Sequence, residues 1–213
     1  MNIILTSEFV SIAKHLLNKW YFKQTHKKVA FIQNAVDNRL KKGEIIERLE
    51  QAKQRYKDNN FDLEIIDLCI YRSSEELYKK LNNYNYIHVH GWDIKHLSSL
   101  AQQSWLYECI RKLLSQWITY VGSSAWSILA WNEISYARIA EPKYTAWEWI
   151  IPPWSIPWFW LHPFHIMPHS DRIERQEVAI KRLEYCMQNN YHPYITITEY
   201  EAIVYYDNNI NFI

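Results

Sequence analysis

Glycine is scarce in this sequence, with 3 residues among 213, against about 7% in ordinary proteins. Cysteine is scarce too. Cys69, Cys109 and Cys186 are odd in number and far apart. That excludes a disulfide framework or a zinc motif and points to a reduced, cytoplasmic protein. Charge of one sign is also missing. The 24 basic and 23 acidic residues leave a net charge of +1, so electrostatics gives no reason to expect nucleic acid or an anionic membrane as partner. No apolar run reaches the length of about 18 residues that a membrane span needs. The opening MNIILTSEFV has neither a basic stretch nor a long apolar core. It reads as a first strand and not as a signal peptide. What abounds is tryptophan. The 3 glycines and 11 tryptophans together reach the share that glycine alone normally holds. Several tryptophans stand where glycine is expected, as in HGWD, YVGSSAW and PPWSIPWFW.

Apolar runs at 2–5, 28–35, 63–68, 86–91 and 118–123 read as strands. Between them lie segments with helical spacing at 9–17, 39–57, 73–81, 94–103 and 106–116, and another helix starts near Ser124. This alternation predicts one α/β domain over residues 1–213, with a mostly parallel sheet and helices on both faces. Residues 140–170 break the rhythm, holding six of the seven prolines and five tryptophans. A helix at 172–188 follows, and then YITITEYEAIVYYDN, which alternates as a C-terminal β-hairpin would. Ligands of open α/β sheets bind beyond the carboxyl ends of the strands. Three polar clusters fall there: QNAVD (33–37), HGWD (90–93) and GSSA (122–125).

The last cluster is close to the nucleophile-elbow spacing G-x-S-x-G, with Ser124 central and Trp126 in place of the second glycine. Such a turn exposes a serine oxygen and offers backbone N–H groups to an oxyanion. Ser123 or Ser124 is equally well read as a helix cap. A serine nucleophile needs a base. The segment LHPFHIMPHS supplies His162, His165 and His169. The interleaved prolines spoil a helical ligand face, so no metal is expected. For the acid of a triad, Glu133, Glu141, Glu148 and Asp171 are all available, and spacing alone does not choose among them.

Taken together, NIILTS, KVAFIQNAVD, IHVHGWD, RKLLSQWITYVGSSAWSILA, FHIMPH and EAIVYYDN resemble, in order, the segments of the peptidase E family. These are aspartyl dipeptidases with a serine nucleophile on a class I glutamine amidotransferase-like fold. The resemblance implies Ser124 as nucleophile, His169 as base and Glu141, in RIAEPK, as the acid. It places Gly91, Trp92 and Ala125 at the oxyanion hole. It makes Arg175, with Arg172 as rival, the residue that receives the substrate carboxylate, and adds Asp93 to the substrate site. The implied substrate is a small acidic peptide with an N-terminal aspartate. No cofactor is implied, and the chain would act as a monomer or homodimer.

Trp92 and Trp126 depart from the family pattern, where glycine stands. An indole at 126 is expected to wreck the elbow, and one at 92 to sit over the oxyanion hole. One origin is a degenerate, inactive relative that keeps only ligand binding. The other is a UGA codon that stands for glycine and has been read as tryptophan, which restores the elbow to GSSAG with one cause instead of many. A different acyl hydrolase, an esterase or amidase, would use the same elbow.

Overall fold

The computed structural model describes residues 2–19, 22, 27–116, 118–130, 161, 163–190, 193–206 and 209–213. Its main sheet runs in the order β3-β2-β4-β5-β1-β8-β9. The five parallel strands are β1 (Asn2–Thr6), β2 (Lys28–Ile32), β3 (Asp62–Ile66), β4 (Tyr86–Val89) and β5 (Thr119–Ser123). β8 (Ala202–Tyr206) and β9 (Asn209–Phe212) extend the sheet as an antiparallel pair. A separate parallel pair joins β6 (His165–Pro168) to β7 (Tyr194–Ile197).

The central strands β1, β2, β4 and β5 are buried on both faces because successive side chains alternate between two cores. Ile3, Leu5, Ala30, Ile32, Ile87 and Val89 point into one core. α4 (Ser74–Leu81), α5 (Ile94–Gln103), α6 (Leu106–Leu114) and α7 (Ala125–Leu129) cover that side. Ile4, Val29, Phe31, Tyr86 and Val121 point into the other, under α1 (Phe9–Leu17) and α3 (Glu47–Asp58). α1 shows why such a segment is helical. Phe9, Ile12, Ala13, Leu16 and Leu17 share one buried stripe, and each of the four large side chains contributes about 1.5–3 kcal/mol on burial. α4 starts where Ser73 Oγ accepts the Glu76 N–H at 3.2 Å, a cap legible in the sequence.

The α/β class, the parallel sheet and helices on both faces match the sequence reading. Three details differ. The apolar face at 39–57 is two helices, α2 (Asp37–Leu40) and α3. Gly43, at φ 75°, turns the chain between them. The terminal hairpin is β8–β9, so the first strand of the predicted stretch, β7, pairs with β6 instead. FHIMPH contains a strand that its proline concealed: Pro168 closes β6, and an edge strand tolerates a residue without an N–H. α8 (Gln176–Gln188) completes the chain order between β6 and β7. No helix among the described residues is long and apolar enough to cross a membrane.

Candidate active site

The three polar clusters do converge. Asp93 N–H donates to Ala35 O at 3.4 Å, tying the loop after β4 to the turn after β2. Gly91 lies hard against the turn after β5. A Cβ there would stand 2.2 Å from Ser123 O, 2.8 Å from Ser124 Cβ and 2.9 Å from Ala125 N. Only glycine permits this approach.

Ser124 joins β5 to α7 with φ 52° and ψ −110°. A non-glycine residue pays for positive φ, so its surroundings must hold it. They do so through β1. The Ser124 N–H donates to Thr6 O at 2.9 Å. Ser127 Oγ donates to Thr6 O at 2.8 Å and lies 2.9 Å from Gly122 O. Ser124 makes no side-chain cap bond to α7. Its Oγ faces His169 Nε2 at 2.9 Å instead. Ser123 is buried as the last residue of β5. The backbone N–H groups of Trp92 and Ala125 have no hydrogen-bond partner among the described residues.

His169 follows β6 and also has positive φ, 62°. Its backbone N–H donates to Ser7 Oγ at 2.7 Å. Its Nδ1 is 3.2 Å from Glu199 Oε1 and 3.1 Å from Ser7 Oγ. Glu199 sits between β7 and β8, with its side chain only 12% exposed. Its N–H donates to Asp171 Oδ1 at 3.0 Å, and Arg172 forms a close ion pair with its carboxylate. Burial lowers the His169 pKa, and Arg172 lowers it further. Glu199 opposes both.

Serine, imidazole and carboxylate thus stand in one hydrogen-bonded line. The carboxylate is Glu199, not a residue named from the sequence. Glu141, Glu133 and Glu148 lie outside the described residues, as does His162. Asp171 supports the Glu199 backbone and does not touch the imidazole through any bond seen here. His165 is buried on β6. Asp93 accepts the His96 N–H at 3.0 Å and so caps the start of α5. Arg175 ends a 3-10 turn that begins at Ile173, with its N–H donated to Arg172 O at 2.9 Å. Among the described residues no group of three or more His, Cys, Asp and Glu is arranged to hold a metal.

Trp126 behaves differently from expectation. Trp126 is fully buried in the core beneath α7, and the elbow is intact above it. Position 126 is helical, so its side chain leaves the turn and enters the core. Trp92 is half-exposed, with the Arg39 guanidinium 4.5 Å from its ring centre. Trp105, between α5 and α6, is the strained one, at φ 56°.

The sequence matches the description Peptidase family S51 over residues 3–213. A solved structure from Listeria monocytogenes EGD-e, described as a candidate peptidase E, superposes with a TM-score of 0.81 at 19% identity, covering 100% of this chain and 97% of that one. A peptidase from an acI-B1 Actinobacterium superposes with a TM-score of 0.65 at 15% identity, covering 95% and 82% of the two chains. At these identities the two structures establish the fold. No curated protein matches the sequence.

Proposed function

Because the chain belongs to peptidase family S51, and so to the serine-type peptidases, we propose that it removes an N-terminal aspartate from short peptides, with Ser124, His169 and Glu199 as its triad. The observation that carries this is the 2.9 Å contact of Ser124 Oγ with His169 Nε2 at a strained strand-to-helix turn.

In the proposed reaction Ser124 Oγ attacks the backbone carbonyl carbon of the N-terminal aspartate itself. His169 Nε2 takes the hydroxyl proton. The developing oxyanion is met by the N–H groups of Ala125 and Trp92, beside Gly91. The imidazolium then protonates the departing amine, and the aspartyl ester on Ser124 remains. Water, deprotonated by His169, releases aspartate and restores the serine. Glu199 keeps the Nδ1 proton in place and stabilises the charged ring. It takes the role that the resemblance implied for Glu141. The Arg172 guanidinium is committed to Glu199. Arg175, the position that the family resemblance assigns, is the residue proposed to pair with the substrate carboxylate, where a bidentate fork suits the task.

The test is hydrolysis of Asp-Leu beside Leu-Leu and Asn-Leu, with Ser124→Ala as control. The reading expects turnover of Asp-Leu alone that vanishes in the control. Equal turnover of all three overturns the acidic specificity. Turnover that survives Ser124→Ala overturns the nucleophile.

A further inference from the structure

The triad leaves one contact unused. Ser7 follows β1 directly and is completely buried. Its Oγ accepts the His169 backbone N–H at 2.7 Å and stands 3.1 Å from Nδ1 of the same residue. A hydroxyl has two acceptor lone pairs and one proton. One oxygen can therefore accept the main-chain N–H and share the Nδ1 proton with Glu199. Two bonds from one rigid atom fix both the backbone and the ring of His169. This answers how a non-glycine residue is kept at φ 62°, a conformation that costs about 1–2 kcal/mol.

The neighbouring residue does the same for the nucleophile. Thr6 O accepts the Ser124 N–H at 2.9 Å and the Ser127 hydroxyl at 2.8 Å. Thr6 and Ser7 are consecutive, so the carboxyl end of β1 sets the serine and the imidazole against each other. Glu199 alone is a less rigid anchor. It comes from a turn between strands and is drawn to Arg172, whose side chain is 33% exposed.

We infer that Ser7 is a positioning residue for His169, holding the imidazole in the Nδ1–H tautomer and at the distance from which Nε2 reaches Ser124. The inference rests on the reading of Ser124 and His169 as nucleophile and base. Neutral imidazole can carry its proton on either nitrogen. Only the Nδ1–H form leaves Nε2 open to accept from serine. The Glu199 carboxylate, which only accepts, calls for a proton on Nδ1, and a hydroxyl that accepts the backbone N–H and shares the Nδ1 proton reinforces that form.

Ser7→Ala and Ser7→Thr test this in the full chain. The readouts are the rate of Ser124 labelling by a fluorophosphonate, followed by intact mass, and the ¹⁵N imidazole spectrum of His169. Labelling needs no knowledge of the substrate. Expected are a Ser7→Ala protein that melts near the wild-type temperature, labels about 10–100-fold more slowly, and shows His169 shifted away from the Nδ1–H tautomer. Ser7→Thr, which keeps the hydroxyl, should recover most of the labelling rate. Wild-type labelling rate and an unchanged His169 spectrum in Ser7→Ala overturn the inference. So does a loss of labelling that follows a fall in melting temperature with the tautomer unchanged. If the wild-type protein is not labelled at all, the serine-nucleophile reading fails instead. The imidazole spectrum then still decides Ser7, since an unaltered tautomer in Ser7→Ala overturns its role.

Discussion

The two walls of the site are built by different means. The nucleophile wall is backbone and apolar packing. Ser124 sits at the end of a central strand, with Gly91 pressed against its turn and Trp126 filling the core below. The base wall is polar side chains. His169 stands outside the main sheet, after β6, and is placed by Ser7, Glu199 and, through Glu199, Arg172. A wall of backbone tolerates change only where no atom must move. A wall of side chains can be retuned by exchanging one group. The difference predicts that substitutions on the first wall cost fold and activity together, whereas those on the second cost activity with little change in stability.

The largest effect should come from Ser124, the one residue of the first wall whose side chain is proposed to react. Ser124→Ala is expected to lower kcat by about 10⁴-fold or more, measured on Asp-Leu, with the melting temperature held or raised because an alanine stores no polar group there. Gly91→Ala sharpens the comparison. Its Cβ would stand 2.2 Å from a backbone oxygen, so the elbow must shift. A loss of about 1–3 kcal/mol in denaturant unfolding should accompany the loss of activity.

Acid separates the walls as well. Burial lowers the His169 pKa, so the imidazole stays neutral and basic to a pH below its ordinary value of about 6.5. The acid limb of kcat/KM is expected below that pH. Arg172→Gln, which removes a nearby positive charge, should move it upward. On the sheet side, His88 and His90 are buried on and just after β4. Burial holds His88 neutral and pushes His90 down to about 4. The unfolded chain takes up these protons as pH falls through about 6.5 and the folded chain does not. Stability is therefore complete above that pH and declines as pH drops towards 4. The urea midpoint should be lower at pH 5 than at pH 7.5.

The smallest effect concerns a residue in neither wall. Trp105 is held at φ 56° with 38% of its surface exposed, at a position after a helix where glycine is usual. Trp105→Gly should raise stability by about 1 kcal/mol, read as a rise of about 2–4 °C in melting temperature.

The first wall was legible in the sequence because its signals are local. Gly122 and Ser123 end a strand, Ser124 turns and Ala125 opens a helix, so four adjacent letters carry the turn. His169 was singled out from His162 and His165 only by the family resemblance of FHIMPH. Glu199 was not legible. It lies 30 residues after the histidine, in a stretch that reads as an ordinary hairpin, where carboxylates are common. Only the pairing of β6 with β7 brings it to the imidazole. Ser7 was hidden for a similar reason, at 162 residues from its partner. Trp126 was misjudged because the elbow glycine rule was applied to a position whose backbone is ordinary helix, while the strain sits at Ser124 and Trp105.

The central claim, that a carboxylate from the β7–β8 turn completes the base wall, is tested most directly by Asp-Leu hydrolysis with Glu199→Gln beside Glu141→Gln. The account predicts a fall in kcat of about 10²–10⁴-fold for Glu199→Gln, with unchanged melting, and near wild-type turnover for Glu141→Gln. Full activity in Glu199→Gln, or its loss in Glu141→Gln alone, would contradict it.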